Sequence, residues 1–234
     1  MQTEIIGIGN NLVIGLGEVG KAIQEILGCP GHDPLKGIHE SLSFDVLHIC
    51  FPYSATFERD VENYREEFSA KLVIIHSTVP VGTSTRIRAV HSPVRGIHPH
   101  LAQGIRTFVK YFGGPDSAEA AKIFEDRGIK TKTTILAENT EAMKIWDTTQ
   151  YGWNIILEKR IYEYCQEHGL DFDIIYTDAN SSYNGGYEEL GHPEYKKYVL
   201  EHREGKIGGH CVIPNLEFLD TKLAKFIKDF NATL

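Results

Sequence analysis

The sequence predicts an α/β protein in which a doubly wound sheet is followed by a smaller all-helical domain with one long helix. In the first part of the chain, short β-rich runs alternate with stretches of helical periodicity, as in parallel sheets with crossover helices. From 138 to 168 there is no proline and no glycine except Gly152, and apolar residues recur at helical steps. We therefore divide the chain into domains at 1–136 and 137–234.

The first domain consists of apolar runs that end in glycine or proline, separated by amphipathic stretches. Such runs are typical of buried parallel strands, and the stretches between them are typical of crossover helices. The predicted strands lie at 11–17, 44–52, 71–80, 107–114 and 130–136, with a brief second strand near Asp33, and the predicted helices lie at 19–27, 55–69 and 116–128.

The second domain begins with the predicted long helix at 138–169. Its tryptophans and tyrosines make it too apolar to be covered on one side only, which predicts a homodimer. The polar, aromatic segment after it includes 178–191, which is either a substrate lid, with Asn184 as a polar candidate, or a plain surface loop. A closing amphipathic helix is predicted at 216–231.

Composition excludes several classes of protein. Apolar residues make up 41% and charged residues 24% of the 234 residues, which is typical of a globular protein. The formal charge of -8 argues against nucleic acid as a partner, and no apolar run is long enough to cross a membrane. The first residues lack a signal peptide, so we expect a cytoplasmic protein. The four cysteines form no CxxC pair, so we expect no metal site. With nucleic acid and membrane set aside, we expect a small-molecule substrate.

A glycine fingerprint follows the first predicted strand and opens the first predicted helix. In this context the glycines allow a tight turn and a close approach of backbone amides to a pyrophosphate at the helix N-terminus. Asp33 lies at the distance expected for an acid that accepts from the adenosine ribose, which favours NAD over NADP. The alternative is a glycine-rich turn in another doubly wound fold. The predicted cofactor residues of this Rossmann-type turn are Gly15, Gly17, Glu18, Val19 and Gly20.

The stretch HSTVPVGTS at 76–84 ends another predicted strand. Ligands of doubly wound sheets bind off the carboxyl ends of the strands, so Ser77 and Thr78 should face the cofactor, as should Pro52 at the end of the preceding strand. For Thr83 and Ser84 the alternative role is helix capping, because their hydroxyls can accept from free amides.

Together with GGHC at 208–211, these motifs resemble the UDP-glucose/GDP-mannose dehydrogenase family of the 6-phosphogluconate dehydrogenase-like superfamily. The resemblance covers nearly the whole chain in order: the glycine fingerprint, STVPVGT, a helix with Glu141-x-x-Lys144, and GGHC. The GGxC signal is the most specific of these motifs.

The resemblance implies an oxidoreductase that uses NAD to oxidise a primary alcohol of a nucleotide sugar twice. Cys211 matches the family's nucleophile, which holds the aldehyde as a thiohemiacetal and then carries a thioester that water cleaves. Lys144 matches the lysine that stabilises negative charge on oxygen. The alternatives are a buried structural cysteine and a solvated helix lysine. The residues we expect at the substrate are His98, His100, Asn154, Asn184, Gly208, Gly209 and His210.

The sequence departs from the family pattern at three catalytic positions. Thr148 stands where the family has asparagine, and Asn215 stands where it has the aspartate that works on the catalytic water. His100 takes the place of a glutamate near the substrate, either as a general base or as a loop residue. We expect Cys211, Lys144, Thr78 and His98 or His100 to converge at the nicotinamide.

The resemblance also implies a third domain that grips the nucleotide diphosphate, whereas only 23 residues follow Cys211 here. The leading hypothesis is therefore an NAD-dependent oxidoreductase of an alcohol or aldehyde, possibly sugar-derived, with Cys211 as covalent nucleophile. One alternative is a hydroxyacid-type dehydrogenase that uses Lys144 without covalent catalysis. Another is a non-catalytic dinucleotide-binding protein.

Overall fold

A computed structural model describes residues 10–96, 99–209 and 211–234. Within these residues seven strands form one sheet in the order β2-β1-β3-β4-β5-β6-β7. Neighbouring strands are parallel except β5 and β6. The strands are β1 (Asn11–Ile14), β2 (Gly31–His32), β3 (Val46–Ile49), β4 (Leu72–Ile75), β5 (Val90–His91), β6 (Lys110–Gly113) and β7 (Thr131–Thr134).

The helices of the sheet region alternate with the strands along the chain, as the hydrophobic periodicity predicts. The predicted α/β fold with a doubly wound sheet is confirmed. A short helix at 101–107, which the sequence did not predict, precedes β6. The helices are α1 (Glu18–Leu27), α2 (Phe57–Glu67), α3 (Thr83–Arg86), α4 (Leu101–Thr107) and α5 (Ser117–Glu125).

The central strands are buried on both faces, which explains their nearly continuous apolar sequence. In β1, Val13 packs into a cluster with residues of α1, α4 and α5. Its neighbours Leu12 and Ile14 point to the opposite face and pack with Phe57 and Val61 of α2. The alternation along one strand thus fills two hydrophobic layers, one on each side of the sheet.

The chain divides into two compact units, one up to Lys144 and the other Ile145–Leu234. The predicted long helix is confirmed as α6 (Ala137–His168), and the predicted boundary near residue 136 lies at its start. Further helices of the second unit are α7 (Ala179–Glu189), α8 (Val212–Leu216) and α9 (Lys222–Thr233). Apolar residues of α6, α8 and α9 form a separate small core.

The segment 178–191 is helical rather than the loop that its turn-rich composition suggested. A π-helical stretch, Asp173–Asp178, leads directly into α7. The Asn184 side chain donates to the backbone carbonyl of Lys197 and accepts from the Lys197 amide, at 2.9 and 2.8 Å. This paired bond ties α7 to the following segment and offsets the poor helix propensity of its two glycines. In the described part of the chain, none of the helices has the length and apolar character needed to span a membrane.

Candidate functional site

The loops after β1 to β5 lie at one edge of the sheet, because these five strands are parallel. We call them the crevice loops. The strand order changes direction beside β1, with β2 on one side and β3 on the other. Doubly wound sheets bind ligands at such a switch point, outside the carboxyl ends of the strands. The crevice loops carry the predicted residues of the glycine turn, Asp33, Pro52, Ser77 and Thr78.

The three glycines of the fingerprint have different surroundings. Gly15 has a φ of +88°, and a Cβ on it would lie 2.9 Å from the Phe51 amide nitrogen. A Cβ on Gly20 would lie 1.9 Å from the Gly15 carbonyl oxygen. A Cβ on Gly17 would meet nothing within 4 Å. Packing therefore requires the first and third glycines, whereas the second, at the start of α1, faces open space.

Asp33 directly follows β2 and holds the glycine turn. Its Oδ2 accepts from the Leu16 amide at 2.8 Å and lies 3.3 Å from Lys36 Nζ. Burial opposes ionisation of this carboxyl, but the bonds from Leu16 and Lys36 outweigh it and lower its pKa. Lys36 also donates to the Leu16 carbonyl. Asp33 is therefore an anion fixed against the turn, and Lys36 is a partner that the fingerprint did not reveal.

The Ser77 peptide is held from both sides. The Ser77 hydroxyl donates to the Phe51 carbonyl at 2.6 Å, and the Ser77 carbonyl lies 3.2 Å from His91 Nε2. Thr78 is half-buried, and Pro52 in the neighbouring loop is exposed. The crevice loops after β3 and β4 are thus joined through Ser77.

The amides at the start of α3 bond to a side chain far along the sequence. Glu141 Oε2 accepts from Gly82 N at 2.6 Å, and Oε1 accepts from Ser84 N at 2.8 Å. The capping role considered for the Thr83 and Ser84 hydroxyls is wrong: neither caps α3, and the Thr83 hydroxyl donates to the Pro80 carbonyl. The acid of Glu-x-x-Lys supplies the acceptors instead, and burial raises its pKa.

Lys144 lies one helical turn beyond Glu141 and is half-buried. Its Nζ donates to the Val94 carbonyl, in the crevice loop after β5, at 2.9 Å. His100 is exposed at the start of α4, and His98 lies outside the described residues. The lysine that the resemblance predicts to be catalytic thus lies on α6 and contacts one of the crevice loops, the set that also carries Ser77 and Thr78.

In the second unit, Cys211 directly precedes α8. Its thiol is exposed, whereas Cys29, Cys50 and Cys165 are buried. The preceding Gly209 has a φ of +77° and, like Gly208, is exposed, while His210 lies outside the described residues. The Cys211 thiol is therefore accessible directly after the glycine pair, and its role as nucleophile stays a prediction.

A close approach at a glycine and a set of apolar contacts hold α8 against α6. Gly152 of α6 leaves room for Val212, whose Cγ1 would lie 2.6 Å from a Cβ at that position. Val212 and Leu216 pack with Ile156 in the small core of this unit. Gly152, the one break in the glycine-free run of α6, therefore positions the residue next to Cys211.

Thr148 and Asn215, the two departures from the family pattern, contact each other. Asn215 Nδ2 donates to Thr148 Oγ1 at 3.2 Å, and both side chains are buried. Asn154 bonds instead to the Gln150 carbonyl of its own helix, at 2.9 Å. Thr78, Lys144 and His100 belong to the first unit and Cys211 to the second, so their expected convergence stays a prediction.

The sheet contains a buried polar chain that sequence reasoning missed. His48 Nε2 lies 3.0 Å from Asn11 Oδ1, and His48 Nδ1 lies 3.0 Å from His76 Nε2. Lys110 Nζ lies 3.3 Å from His76 Nδ1 and donates to the Ser92 carbonyl at 3.0 Å. Burial lowers the pKa of His48 to about 3 and that of Lys110 to about 7. The sequence did contain a signal for this chain: a histidine or lysine lies within or directly after each of three otherwise apolar strands, β3, β4 and β6.

No protein-family model matches the sequence, and no curated protein matches it significantly. Solved structures with the same fold include the UDP-D-ManNAc dehydrogenase of Pyrococcus horikoshii, with a TM-score of 0.72 and 16% identity over 95% of this chain and 68% of that one. Another is the UDP-N-acetyl-mannosamine dehydrogenase Cap5O of Staphylococcus aureus, with a TM-score of 0.66 and 17% identity over 95% and 67%.

A shorter protein matches over nearly its whole length. The 3-hydroxyisobutyrate dehydrogenase of Mycobacterium tuberculosis, solved with L-serine, has a TM-score of 0.66 and 15% identity over 96% of this chain and 93% of that one. The chain therefore spans about two thirds of the UDP-sugar dehydrogenases and most of this smaller one. At these identities the likeness establishes a shared fold.

Proposed function

We propose that this protein is a dinucleotide-dependent oxidoreductase that acts on an alcohol or aldehyde group of a small molecule. The observation that carries the proposal is the Asp33 carboxylate, bonded to the Leu16 amide inside a glycine turn at the switch point of the sheet. An acid in this position accepts from the ribose of a dinucleotide, and the turn leads the pyrophosphate to the N-terminus of α1. Dehydrogenases with this fold support the same reading.

The residues of the turn fit such a cofactor. Gly17 opens α1 without a side chain, and the space beside it is free of protein atoms. We propose NAD rather than NADP, because the ionised Asp33 would repel a 2′-phosphate more strongly than the neighbouring Lys36, already bonded to Asp33 and Leu16, would attract it. A bound nicotinamide would supply the acceptor or donor of the hydride, and the crevice loops with Ser77 and Thr78 would line its site.

For the chemistry we propose Cys211 as covalent nucleophile and Lys144 as the cation that stabilises oxygen charge. Exposure of the Cys211 thiol supports the first role, and the Lys144 contact with a crevice loop supports the second. Asn215 cannot accept a proton and is committed to Thr148, so it does not replace the family's acid. His100 is exposed and remains the candidate general base; with His98, His210, Gly208 and Gly209 it belongs to the proposed substrate residues.

A second candidate is a hydroxyacid dehydrogenase that uses Lys144 without covalent catalysis. Two observations favour it: the near-complete match to a 3-hydroxyisobutyrate dehydrogenase, and a neutral Thr148–Asn215 pair in place of an acid that would cleave a thioester. Membership of the UDP-glucose/GDP-mannose dehydrogenase family and a substrate derived from a sugar stay proposals beside it.

Cofactor titration followed by turnover tests these proposals. We expect NADH to bind wild-type protein with micromolar affinity, seen as enhanced nicotinamide fluorescence, and NADPH to bind more weakly. Absence of binding of both at millimolar concentration would contradict the dinucleotide site. A substrate panel of UDP-sugars, simple aldehydes and 3-hydroxy acids then follows with NAD. Cys211→Ser should abolish turnover under covalent catalysis and leave it intact in the hydroxyacid mechanism, whereas Lys144→Met should abolish it in both.

A further inference from the structure

Glu141 is fully buried, and both oxygens of its carboxylate accept hydrogen bonds from the loop after β4. Its carboxylate is 0% exposed, and each of its oxygens takes one backbone amide, from Gly82 and from Ser84. Burying a carboxylate is costly unless donors compensate it, and amide donors to a charged acceptor are among the stronger hydrogen bonds in proteins. The two amides stand at the start of α3, where Gly82 has a φ of +89° and no local side chain caps the helix.

The same turns of α6 reach two further places on the crevice loops. The Ser77 carbonyl can only accept, so His91 Nε2 carries the hydrogen between them, at 3.2 Å. His91 Nδ1 is then an acceptor, and Thr140 Oγ1 donates to it at 2.9 Å. Burial lowers the pKa of His91 to about 3, so the imidazole ring stays neutral near pH 7. Lys144 holds the Val94 carbonyl.

These bonds fix the loop after β4 at both ends. Ser77 is anchored at its carbonyl by His91 and at its hydroxyl by the Phe51 carbonyl. Gly82 and Ser84 are anchored by Glu141. Thr78 lies between the two anchors, half-buried and next to Ser77. Contacts at both ends restrict the conformations of this short segment, which couples the place of Thr78 to the Glu141 carboxylate.

We propose that Glu141 is a positioning residue for the cofactor, acting through the loop 78–84 rather than by contact with the dinucleotide. This inference rests on the proposed function, because it assumes that Thr78 faces the cofactor. The coupling free energy between loop ordering and cofactor binding is reciprocal. If the ordered loop binds the cofactor more tightly, the bound cofactor must stabilise the ordered loop to the same extent. A merely structural Glu141 would change the stability of the fold and leave this coupling at zero.

The test compares Glu141→Gln with Glu119→Gln, which removes the same charge from an exposed site on α5. Glutamine keeps the volume but offers one acceptor, and its amide hydrogens face a backbone N–H. At a temperature where both variants are folded, we expect the Kd for NADH to rise about tenfold in Glu141→Gln, as for one lost charge-assisted hydrogen bond, and to stay at the wild-type value in Glu119→Gln.

A second measurement uses the wild-type protein, in case Glu141→Gln does not fold. We expect saturating NADH to slow hydrogen exchange at the Gly82 and Ser84 amides. Unchanged exchange at these amides on NADH binding would overturn the inference, as would equal NADH affinity of Glu141→Gln and wild type. In both cases the dinucleotide proposal survives. If wild-type protein binds no NADH, both proposals fail together.

Discussion

Asn215 donates a hydrogen bond to the hydroxyl of Thr148 over 3.2 Å, and both side chains are buried. In the family that the sequence resembles, an aspartate is expected in place of Asn215 and an asparagine in place of Thr148. The two departures from the family pattern therefore form one local pair. The pair is uncharged and links α8 to α6 one turn beyond Cys211. With asparagine rather than an acid at 215, this buried position holds no unpaired charge, and the bond anchors the helix that follows Cys211.

Thr148→Val should destabilise the protein by about 1–3 kcal/mol, because it leaves the buried Asn215 amide without its acceptor at nearly constant volume. Thr148→Ser keeps the hydroxyl and is the matched control, expected to lose less. Urea denaturation gives both values. The double variant Thr148→Val/Asn215→Leu should recover part of the loss; strict additivity of the two changes would mean that the bond contributes nothing.

Substitutions at the fingerprint glycines should affect stability and cofactor binding at different positions. Gly20→Ala would bring a methyl group 1.9 Å from the Gly15 carbonyl, so we expect overpacking that costs at least about 1–3 kcal/mol. Gly17→Ala meets no protein atom and should keep the wild-type Tm while weakening NADH binding. Gly185→Ala, also without neighbours, is the control for NADH binding, and its Tm should not fall because alanine favours the α7 helix. A Gly17→Ala protein that binds NADH normally would remove Gly17 from the cofactor site.

Stability should rise with pH because of Lys110. Burial lowers its pKa from 10.5 to about 7, so between these values the unfolded chain binds one more proton than the folded one. The free energy of unfolding then increases by up to about 1.4 kcal/mol per pH unit over that window. Lys110→Met should remove this slope, and Lys130→Met, at an exposed site, should retain it. Denaturant titrations at pH 7, 8 and 9 measure the slopes; equal slopes in all three proteins would show that Lys110 is charged throughout.

Iodoacetamide should label Cys211 before any other cysteine of the folded protein. Cys29, Cys50 and Cys165 are buried, and burial raises the pKa of Cys29 to about 11, which leaves little thiolate. Peptide mass spectrometry at short reaction times should find one modified site, and Cys211→Ser should remain unmodified over the same time. Early modification of Cys29 or Cys50 would contradict the packing of the sheet region.

We predict a homodimer through the apolar side of α6. Trp146 and Trp153 keep 45% and 38% of their surface exposed in the isolated chain, and Trp153 lies against Phe226 with ring centroids 5.9 Å apart. Light scattering at micromolar concentration should give twice the chain mass. Trp146→Glu should yield monomers, whereas Leu35→Glu, at a residue 99% exposed in the first unit, should leave the dimer intact. A monomeric wild-type protein would refute the prediction.

The sequence by itself determined most of the sheet, the long helix and the glycine turn, but it did not predict the two-residue strand β5 or its antiparallel pairing with β6. These features depend on local rules: apolar runs ending in glycine or proline for β1, β3 and β4, helical periodicity for α6, and the steric demands of Gly15 and Gly20. Asp33 was predictable for the same reason, because its distance from the turn is set by one strand and one helix. The prediction failed where local composition conflicted with tertiary bonds, as in α7.

Only the tertiary structure decided which side chains hold the crevice loops and the helix α8 that follows Cys211. Glu141 meets amides 59 and 57 positions earlier in the chain, and Asn215 meets a hydroxyl 67 positions earlier. Neither spacing nor periodicity encodes such pairs, because each depends on how the helices and strands pack. The buried contacts of Lys110 with His76 follow the same rule: strand propensity places each residue on a strand or at its end, and only the order of the strands in the sheet brings them together.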